Sequence, residues 1–519
     1  MQLLKSTAKV GTATITSRIL GFIRDMVFAR YFGASAETDA FFLAFKIPNF
    51  MRRLFAEGSF SLAFVPVLSE VRASGDERAL KELVDNVTGT LAGILLVLTA
   101  FGVLAAPLVL AIFAPGWLLD GRPEFWLSAD MLRITFPYIL LISLTALAGG
   151  ILNTFDRFLV PALTPVLLNV SLIASAVLLS ARMDVAVKSL AWGVLFAGIV
   201  QLLVQVPALL RLGLMPRPRW GWHHSGVRRI LRLMIPTLIG SSVAQINLML
   251  DIVIATFLVS GSVSWLYYSD RLLEFPLGVF GVALSTVILP NLSRKFANRD
   301  PRAFSATLDW ALRLALIITL PAALGLAILS TPILITLFQY QAFQLSDVEM
   351  SALSLSAYAV GLPAFIAVKV LAPGFYARQD TKTPVKIAII AMGSNMALNF
   401  AFVGMFLALA FKGPHTGLAL ASSAAAYINA GLLYRSLKRQ GTYQPEPGWG
   451  RVAIAVLLAC LAMTSALLWQ YGDLPDWVDA TAMVRATRLA TLILFGAFVY
   501  GAMLLAGGLR KHHLEKGSS

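Results

Sequence analysis

Apolar residues fall into fourteen stretches, each close to the roughly 20 residues a helix needs to cross the hydrocarbon core of a bilayer. They run at about 9–32, 38–68, 86–113, 130–153, 159–181, 187–210, 229–259, 263–291, 309–338, 351–375, 383–409, 414–436, 450–471 and 486–508. Short polar connections separate them. The pattern predicts an all-α polytopic membrane protein with fourteen transmembrane helices.

The connections have a charge pattern of their own. Those after even-numbered stretches carry Arg72, Arg78 and Lys81; Arg157; Arg211, Arg217, Arg219, Arg228 and Arg229; Arg294, Lys295, Arg299 and Arg302; Arg378 and Lys382; and Arg435, Lys438 and Arg439. Those after odd-numbered stretches, such as "GASAETD" and "YGDLPDWVDATAM", are nearly free of Lys and Arg, with Arg182, Lys188 and Lys412 as exceptions. Basic connections stay in the cytoplasm, so both termini are expected there.

An internal repeat supports the same count. "AFVPVLSEVRASGD" (63–76) aligns without gaps with "VILPNLSRKFANRD" (287–300), matching Pro66 with Pro290, Leu68 with Leu292, Ser69 with Ser293 and Asp76 with Asp300. The offset of 224 residues also takes Asp156 to Asp380. Six stretches separate the copies, and an even number preserves orientation. Two parallel six-helix lobes are expected, related by an axis along the membrane normal, at residues 1–224 and 225–444, with two extra helices and a cytoplasmic tail at 445–519.

Composition agrees with a lipid environment. Hydrophobic residues make up 58% and charged residues 13%, against roughly 25% charged in soluble domains, and mean hydropathy is +0.77. The net charge of +15 is spread over connections, which excludes a compact nucleic-acid surface. Cys460 stands alone, so no intrachain disulfide forms. Arg18 interrupts any signal-peptide core near the start, and the first segment is expected to stay.

Polar residues inside the stretches carry the candidate chemistry. At 100° per residue, Gly11, Thr14, Ser17, Arg18, Gly21, Arg24 and Asp25 share one side of the first helix, and Ile15, Ile19, Phe22, Ile23 and Val27 the other. Arg18 lies about 13 Å past the start of the span, too deep to reach an interface easily by snorkelling. The second stretch holds Asp39, Lys46, Asn49, Arg52, Arg53 and Glu57, with Pro48 able to bend it. Its counterpart in the second repeat holds Asp270, Arg271 and Glu274, followed by Pro276, Gly278 and Gly281. Asp251, Lys369, Asn395 and Asn399 add isolated polar groups. A charge at the bilayer centre costs at least about 2.5 to 3.5 kcal/mol, so these groups must face one another or water. They form either a hydrated cavity or a set of structural ion pairs such as Arg18 with Asp25 or Arg53 with Glu57. The cations in the first lobe outnumber what internal partners neutralise, which favours an anionic ligand, and the planar guanidinium suits phosphate oxygens. No Walker loop and no HExxH zinc motif is present, so neither ATP nor a metal or other cofactor is expected, and membrane potential or an ion gradient remains as the energy source.

"TSRILGFIRD", "TDAFFLAFKIPNFMRRLFAEGSFSLAFVPVLSE", "GSVSWLYYSDRLLEFPLGVFGVALSTVILP" and "VKVLAPGFYARQDTKTPVKIA" resemble the signature stretches of the MurJ (MviN) lipid II flippase family, in the multidrug/oligosaccharidyl-lipid/polysaccharide exporter superfamily. The resemblance spans nearly the whole chain and weakens in the last two helices. It implies a bacterial cytoplasmic (inner) membrane protein, two six-helix lobes around a cationic central cavity, and a groove for a lipid tail on the last two helices. The functional arginines of the family fall on Arg18, Arg24, Arg52 and Arg271, with Lys46 and Asn49 beside them as substrate-binding groups. The remaining charges, Asp25, Asp39, Arg53, Glu57, Asp251, Asp270, Glu274 and Lys369, are expected to form a cavity network or to couple transport to an ion. Pro48, Pro276, Gly278 and Gly281 are the expected hinges.

The implied partner is lipid II, whose polar headgroup cannot cross hydrocarbon while its polyprenyl tail stays in the membrane lipids. The resemblance also leaves room for contacts with cell-wall synthesis proteins. Three other classes fit parts of the pattern: an exporter of another lipid-linked oligosaccharide or of a drug-type substrate, a lipid-modifying enzyme, and a scaffold. A cationic drug prefers an acidic cavity, an enzyme needs a catalytic cluster, and a scaffold would tolerate loss of the cavity arginines.

Overall fold

The computed structural model describes residues 2–53 and 60–508, with side chains throughout except at 2–10, 62, 236–244, 248 and 282. Among the described residues every regular element is a helix. In chain order they are α1 (Gln2–Phe32), α2 (Ala36–Arg52), α3 (Ser61–Ala73), α4 (Glu77–Leu104), α5 (Ala106–Phe113), α6 (Pro115–Leu119), α7 (Pro123–Thr135), α8 (Tyr138–Thr154), α9 (Leu159–Leu178), α10 (Lys188–Leu203) and α11 (Val206–Arg211). There follow α12 (Ser225–Ala255), α13 (Ser262–Pro276), α14 (Val282–Ala297), α15 (Pro301–Ile328), α16 (Ser330–Phe338), α17 (Leu345–Tyr376), α18 (Lys382–Ala408), α19 (Thr416–Arg439), α20 (Trp449–Gln470), α21 (Leu474–Val478) and α22 (Ala482–Ala506).

Eleven spans among the described residues are long and apolar enough to cross a membrane. Of the apolar stretches, the first, second and seventh are missing from that set, and they carry Arg18 and Arg24, Lys46 and Arg52, and Asp251. The second runs across residues outside the described ones and the seventh across residues whose side chains are not described, and in the first Arg18, Arg24, Asp25 and Arg30 interrupt the apolar run.

By packing, the chain divides into two compact units, Met1–Ser264 and Trp265–Ser519. In the first, α12 lies against α3, α4 and α5, so close packing carries the first unit 40 residues beyond the start of the second sequence repeat. Lipid tails are as apolar as leucine, so helices in a bilayer associate through close contact and hydrogen bonds. In the second unit the small-residue face of α19 sits on α17, where the Ser423 hydroxyl donates to the Ala357 carbonyl at 2.8 Å.

The 224-residue offset has local counterparts in both units. Gly75 (φ 76°) precedes Asp76, which caps α4, and Arg299 (φ 54°) precedes Asp300, which caps α15. A buried aspartate on each of these two helices then holds a later connection. Asp85 of α4 accepts from Lys81 Nζ and the Arg217 N–H, both at 2.7 Å. Asp309 of α15 accepts from Tyr443 Oη (2.7 Å), Trp449 Nε1 (2.8 Å) and the Glu446 N–H (3.2 Å), with Arg313 paired at 2.7 Å. Burial and the bond to Asp309 push the Tyr443 phenol well above its usual range. At the corner after α8 the correspondence slips by one. Asp156 (φ 61°) matches Gln379 (φ 62°), and Asp380 takes the place of Arg157.

Two exceptions to the charge bias have acidic partners on the same connection side. Lys188 pairs with Asp130 at 3.6 Å and Lys412 with Glu349 at 2.6 Å.

Candidate functional site

The polar stripe of α1 divides into an engaged half and an open half. Arg24 and Asp25 are buried. Arg24 directs Nε (3.0 Å) and Nη2 (2.7 Å) at Asp25 Oδ1 and donates Nη1 to Asn169 Oδ1 at 3.0 Å. Asn169, on α9, donates in turn to the Ser17 carbonyl at 3.0 Å, and the Arg24 guanidinium lies 5.6 Å from the Phe28 ring centroid. One side chain on α9 therefore fixes both the arginine and the backbone one face below it. Arg18, two turns earlier, is exposed, and among the described residues it has no ion pair. Asp25 serves Arg24 rather than Arg18, so the alternative pairing of Arg18 with Asp25 is not formed.

On α2, Asn49 Oδ1 accepts from Arg52 Nε (3.0 Å) and Nη2 (2.8 Å), which turns the guanidinium along the helix. Lys46, Asn49, Arg52 and Arg53 are half-buried. The helix continues through Pro48 to Arg52. Glu57 lies outside the described residues, and so does any bond between it and Arg53.

Asp39, at the opposite end of α2, is fully buried and receives the start of α13. Its Oδ1 accepts from the Ser264 N–H (2.7 Å) and hydroxyl (2.5 Å), and its Oδ2 from the Gly261 N–H (2.7 Å). A carboxylate at a helix N-terminus satisfies orphan N–H groups and complements the macrodipole. The same connection is held by Glu124, which accepts from Ser260 Oγ at 2.5 Å, and by Arg122, which donates to the Leu258 carbonyl at 2.5 Å.

Within the second unit, Arg271 pairs with Glu274 at 2.6 Å and lies 5.1 Å from the Tyr267 ring centroid. Pro276 closes α13, and a π-helical turn, Leu277–Gly281, separates it from α14. Such turns interrupt the regular ladder and bend helices. Gly278 and Gly281 belong to this turn, and Pro276 directly precedes it. A Cβ on Gly281 would stand 2.9 Å from Lys369 Cδ, so the missing side chain makes room for the lone lysine of α17. Asp251 and Asp270 are half-buried on α12 and α13. Asn399 donates to Asn395 Oδ1 at 2.8 Å, and Asn395 to Ser422 Oγ at 3.2 Å.

Sequence reading missed Asn169 and Ser264. Asn169 was signalled weakly, as the one amide in the apolar run "PVLLNVSLI"; Ser264 carried no signal. In each unit taken by itself, guanidiniums are oriented by amide or carboxylate acceptors, and a planar fork so held suits phosphate oxygens. Among the described residues no group of His, Cys, Asp and Glu is placed to hold a metal ion.

The family model "Lipid II flippase MurJ" matches residues 28–484. The protein of Vibrio cholerae named "Probable lipid II flippase MurJ" is 47% identical over 99% of this chain and 98% of its own length. "Lipid II flippase MurJ" of Burkholderia cenocepacia is 42% identical over 98% of each chain. A solved structure titled "Lipid II flippase MurJ, inward closed conformation" superposes with a TM-score of 0.79 at 30% identity, covering 95% of this chain and 97% of that one. An inward-facing multidrug resistance MATE transporter shares the fold at 15% identity and a TM-score of 0.65, over 82% of this chain and 95% of its own. With a family model matched over most of its length and relatives this similar from end to end, the chain belongs to the lipid II flippase MurJ family.

Proposed function

We propose that the chain carries lipid II from the cytoplasmic to the periplasmic leaflet of the inner membrane by alternating access, without changing it chemically. The family is one of transporters, not enzymes. In this reading fourteen helices cross the membrane, both termini are cytoplasmic, and two parallel six-helix lobes move so that a cationic cavity opens first to one leaflet and then to the other. Arg18, Arg52 and Arg271, with Lys46 and Asn49, hold the diphosphate and Arg24 shapes the site around it, while the polyprenyl tail stays in lipid.

The observation that carries the proposal is the contrast on α1. Arg24 is locked by Asp25 and Asn169, whereas Arg18 on the same polar stripe is exposed and lacks an ion pair among the described residues. A locked arginine shapes the site, and an open one receives the phosphate. Membrane potential or an ion gradient acts on the mobile charges, at about 2.3 kcal/mol per charge per 100 mV. The bend at Pro276–Gly281 is the hinge best placed to move Arg271 relative to α14.

The test is translocation of fluorescent lipid II by the purified protein in liposomes, with and without an imposed potential. Transport of intact lipid II is expected, and Arg18→Ala abolishes it without lowering protein abundance. Chemically altered lipid, or transport indifferent to Arg18→Ala, would contradict the proposal.

A further inference from the structure

The connection between α11 and α12 lies along α4 instead of looping free. Residues 214–222 climb this helix one turn at a time: Lys81 Nζ donates to the Met215 carbonyl (2.5 Å), the Arg219 N–H to the Asp85 carbonyl (3.1 Å) and the Gly221 N–H to Thr90 Oγ1 (3.0 Å). The close approach depends on two glycines a turn apart. A Cβ on Gly89 would overlap the backbone of Arg219, and one on Gly93 would stand 2.6 Å from the Trp220 ring. Small residues at this spacing let another chain come near a membrane helix, and here the visitor is an extended strap.

The strap carries Arg217, Arg219, Trp220 and Trp222, all exposed. The two indoles stack, with centroids 6.3 Å apart. Amphipathic rings of this kind settle at the headgroup level of a bilayer. Among the described residues no carboxylate pairs with Arg217 or Arg219; Asp85 is occupied by Lys81 and the Arg217 backbone.

Beside the strap, a cavity of about 120 Å³ opens between α4, α8 and α12. Leu91, Ile94 and Leu98 of α4 and Ile230, Leu231 and Met234 of α12 form most of its wall, and Thr90, which binds the strap, stands at its edge. Its polar groups are the hydroxyls of Thr90, already bonded to the strap, and of Ser143 on α8, fewer partners than an ordered water usually takes; in a bilayer its natural filling is hydrocarbon. From Val87 to Leu98 its α4 wall extends about 16 Å along the helix axis, the direction of an acyl chain.

We propose that strap and cavity together bind an anionic glycerophospholipid of the leaflet facing the basic connections. A segment of one acyl chain enters the cavity, the phosphate rests on Arg217 and Arg219, and Trp220 and Trp222 mark the headgroup level. The bound lipid braces α12 against α4. The site shares no residue with the charged set of α1 and α2 and does not depend on the transported substrate.

The experiment is native mass spectrometry of the full-length protein titrated with phosphatidylglycerol and with phosphatidylcholine of identical chains. The wild type should favour phosphatidylglycerol. Each of Arg217→Gln and Arg219→Gln should weaken it about fivefold, given what one basic residue contributes near an anionic surface, while phosphatidylcholine is unaffected. Leu231→Phe, which fills the cavity, should weaken both lipids. Melting temperature and lipid II transport serve as folding controls. Unchanged phosphatidylglycerol affinity in the double arginine variant, or in Leu231→Phe, overturns the proposal, as does displacement of the phospholipid by undecaprenyl diphosphate at equal affinity.

Discussion

Arg24→Lys separates an arginine that builds the site from one that contacts the substrate. Arg24 uses three donor atoms, two on Asp25 and one on Asn169, inside a buried pocket of α1 and α9. An ammonium placed there keeps the charge but cannot span both acceptors. A hydrogen bond to a charged group is worth roughly 1.5 to 3 kcal/mol net, and lysine recovers part of the attraction to Asp25, so the loss should be about 2 to 4 kcal/mol. Asp25→Asn should cost more, about 3 to 5 kcal/mol, because it leaves a buried guanidinium without a counter-charge. Asn169→Ala should fall near the lower end of the Arg24→Lys range. Arg18→Lys, at an exposed position without an ion pair among the described residues, should leave stability unchanged. Thermal unfolding of the detergent-purified protein, read beside membrane abundance, measures all four. An Arg24→Lys variant melting at the wild-type temperature would refute the structural role assigned to this arginine.

Other substitutions follow from the same geometry. Asp39→Asn keeps one acceptor oxygen for Ser264 but sets an amide N–H against the Gly261 N–H; a loss of about 2 to 3 kcal/mol and faster proteolysis of the connection at 256–261 are expected, and a wild-type digestion pattern would count against the cap. Asp309→Asn should lower the melting temperature more than Asp85→Asn, because Asp309 holds Tyr443, Trp449 and Glu446 as well as Arg313; equal shifts would contradict the ranking. Asp380 is held below the ordinary carboxylate range by the Thr383 hydroxyl and N–H. A depressed folded value stabilises above the unfolded pKa of about 3.9 and is lost as pH falls through the folded one. The wild type should therefore outlast Asp380→Asn at pH 7 and lose that advantage below about pH 4, as read by thermal unfolding across pH.

Sequence legibility followed the physics of the solvent. Apolar runs of bilayer length are a strong signal, and among the described residues eleven spans are helices long and apolar enough to cross a membrane; beside Pro276 a π-helical turn interrupts the helix at Leu277–Gly281. The repeat was visible where it is structural, in Asp76 and Asp300 as helix caps. It slipped by one at Asp156, because Gln379 adopts the matching left-handed conformation although Asp380 looks the better counterpart. The helical wheel put Arg18, Arg24 and Asp25 on one stripe but could not divide them, since the division is made by Asn169, 145 residues away. Nor could charge counting show that Asp39 binds backbone rather than a cation. Partners from distant helices, and backbone groups in general, leave no periodic trace.

The account turns on whether the exposed guanidinium of Arg18 on the first helix receives the phosphate of lipid II. Its most direct measurement is translocation of labelled lipid II in liposomes by Arg18→Lys, at matched protein abundance and melting temperature. The account predicts severe loss of transport with stability intact, because the charge is kept while the paired donors are gone. Wild-type transport by that variant would contradict it.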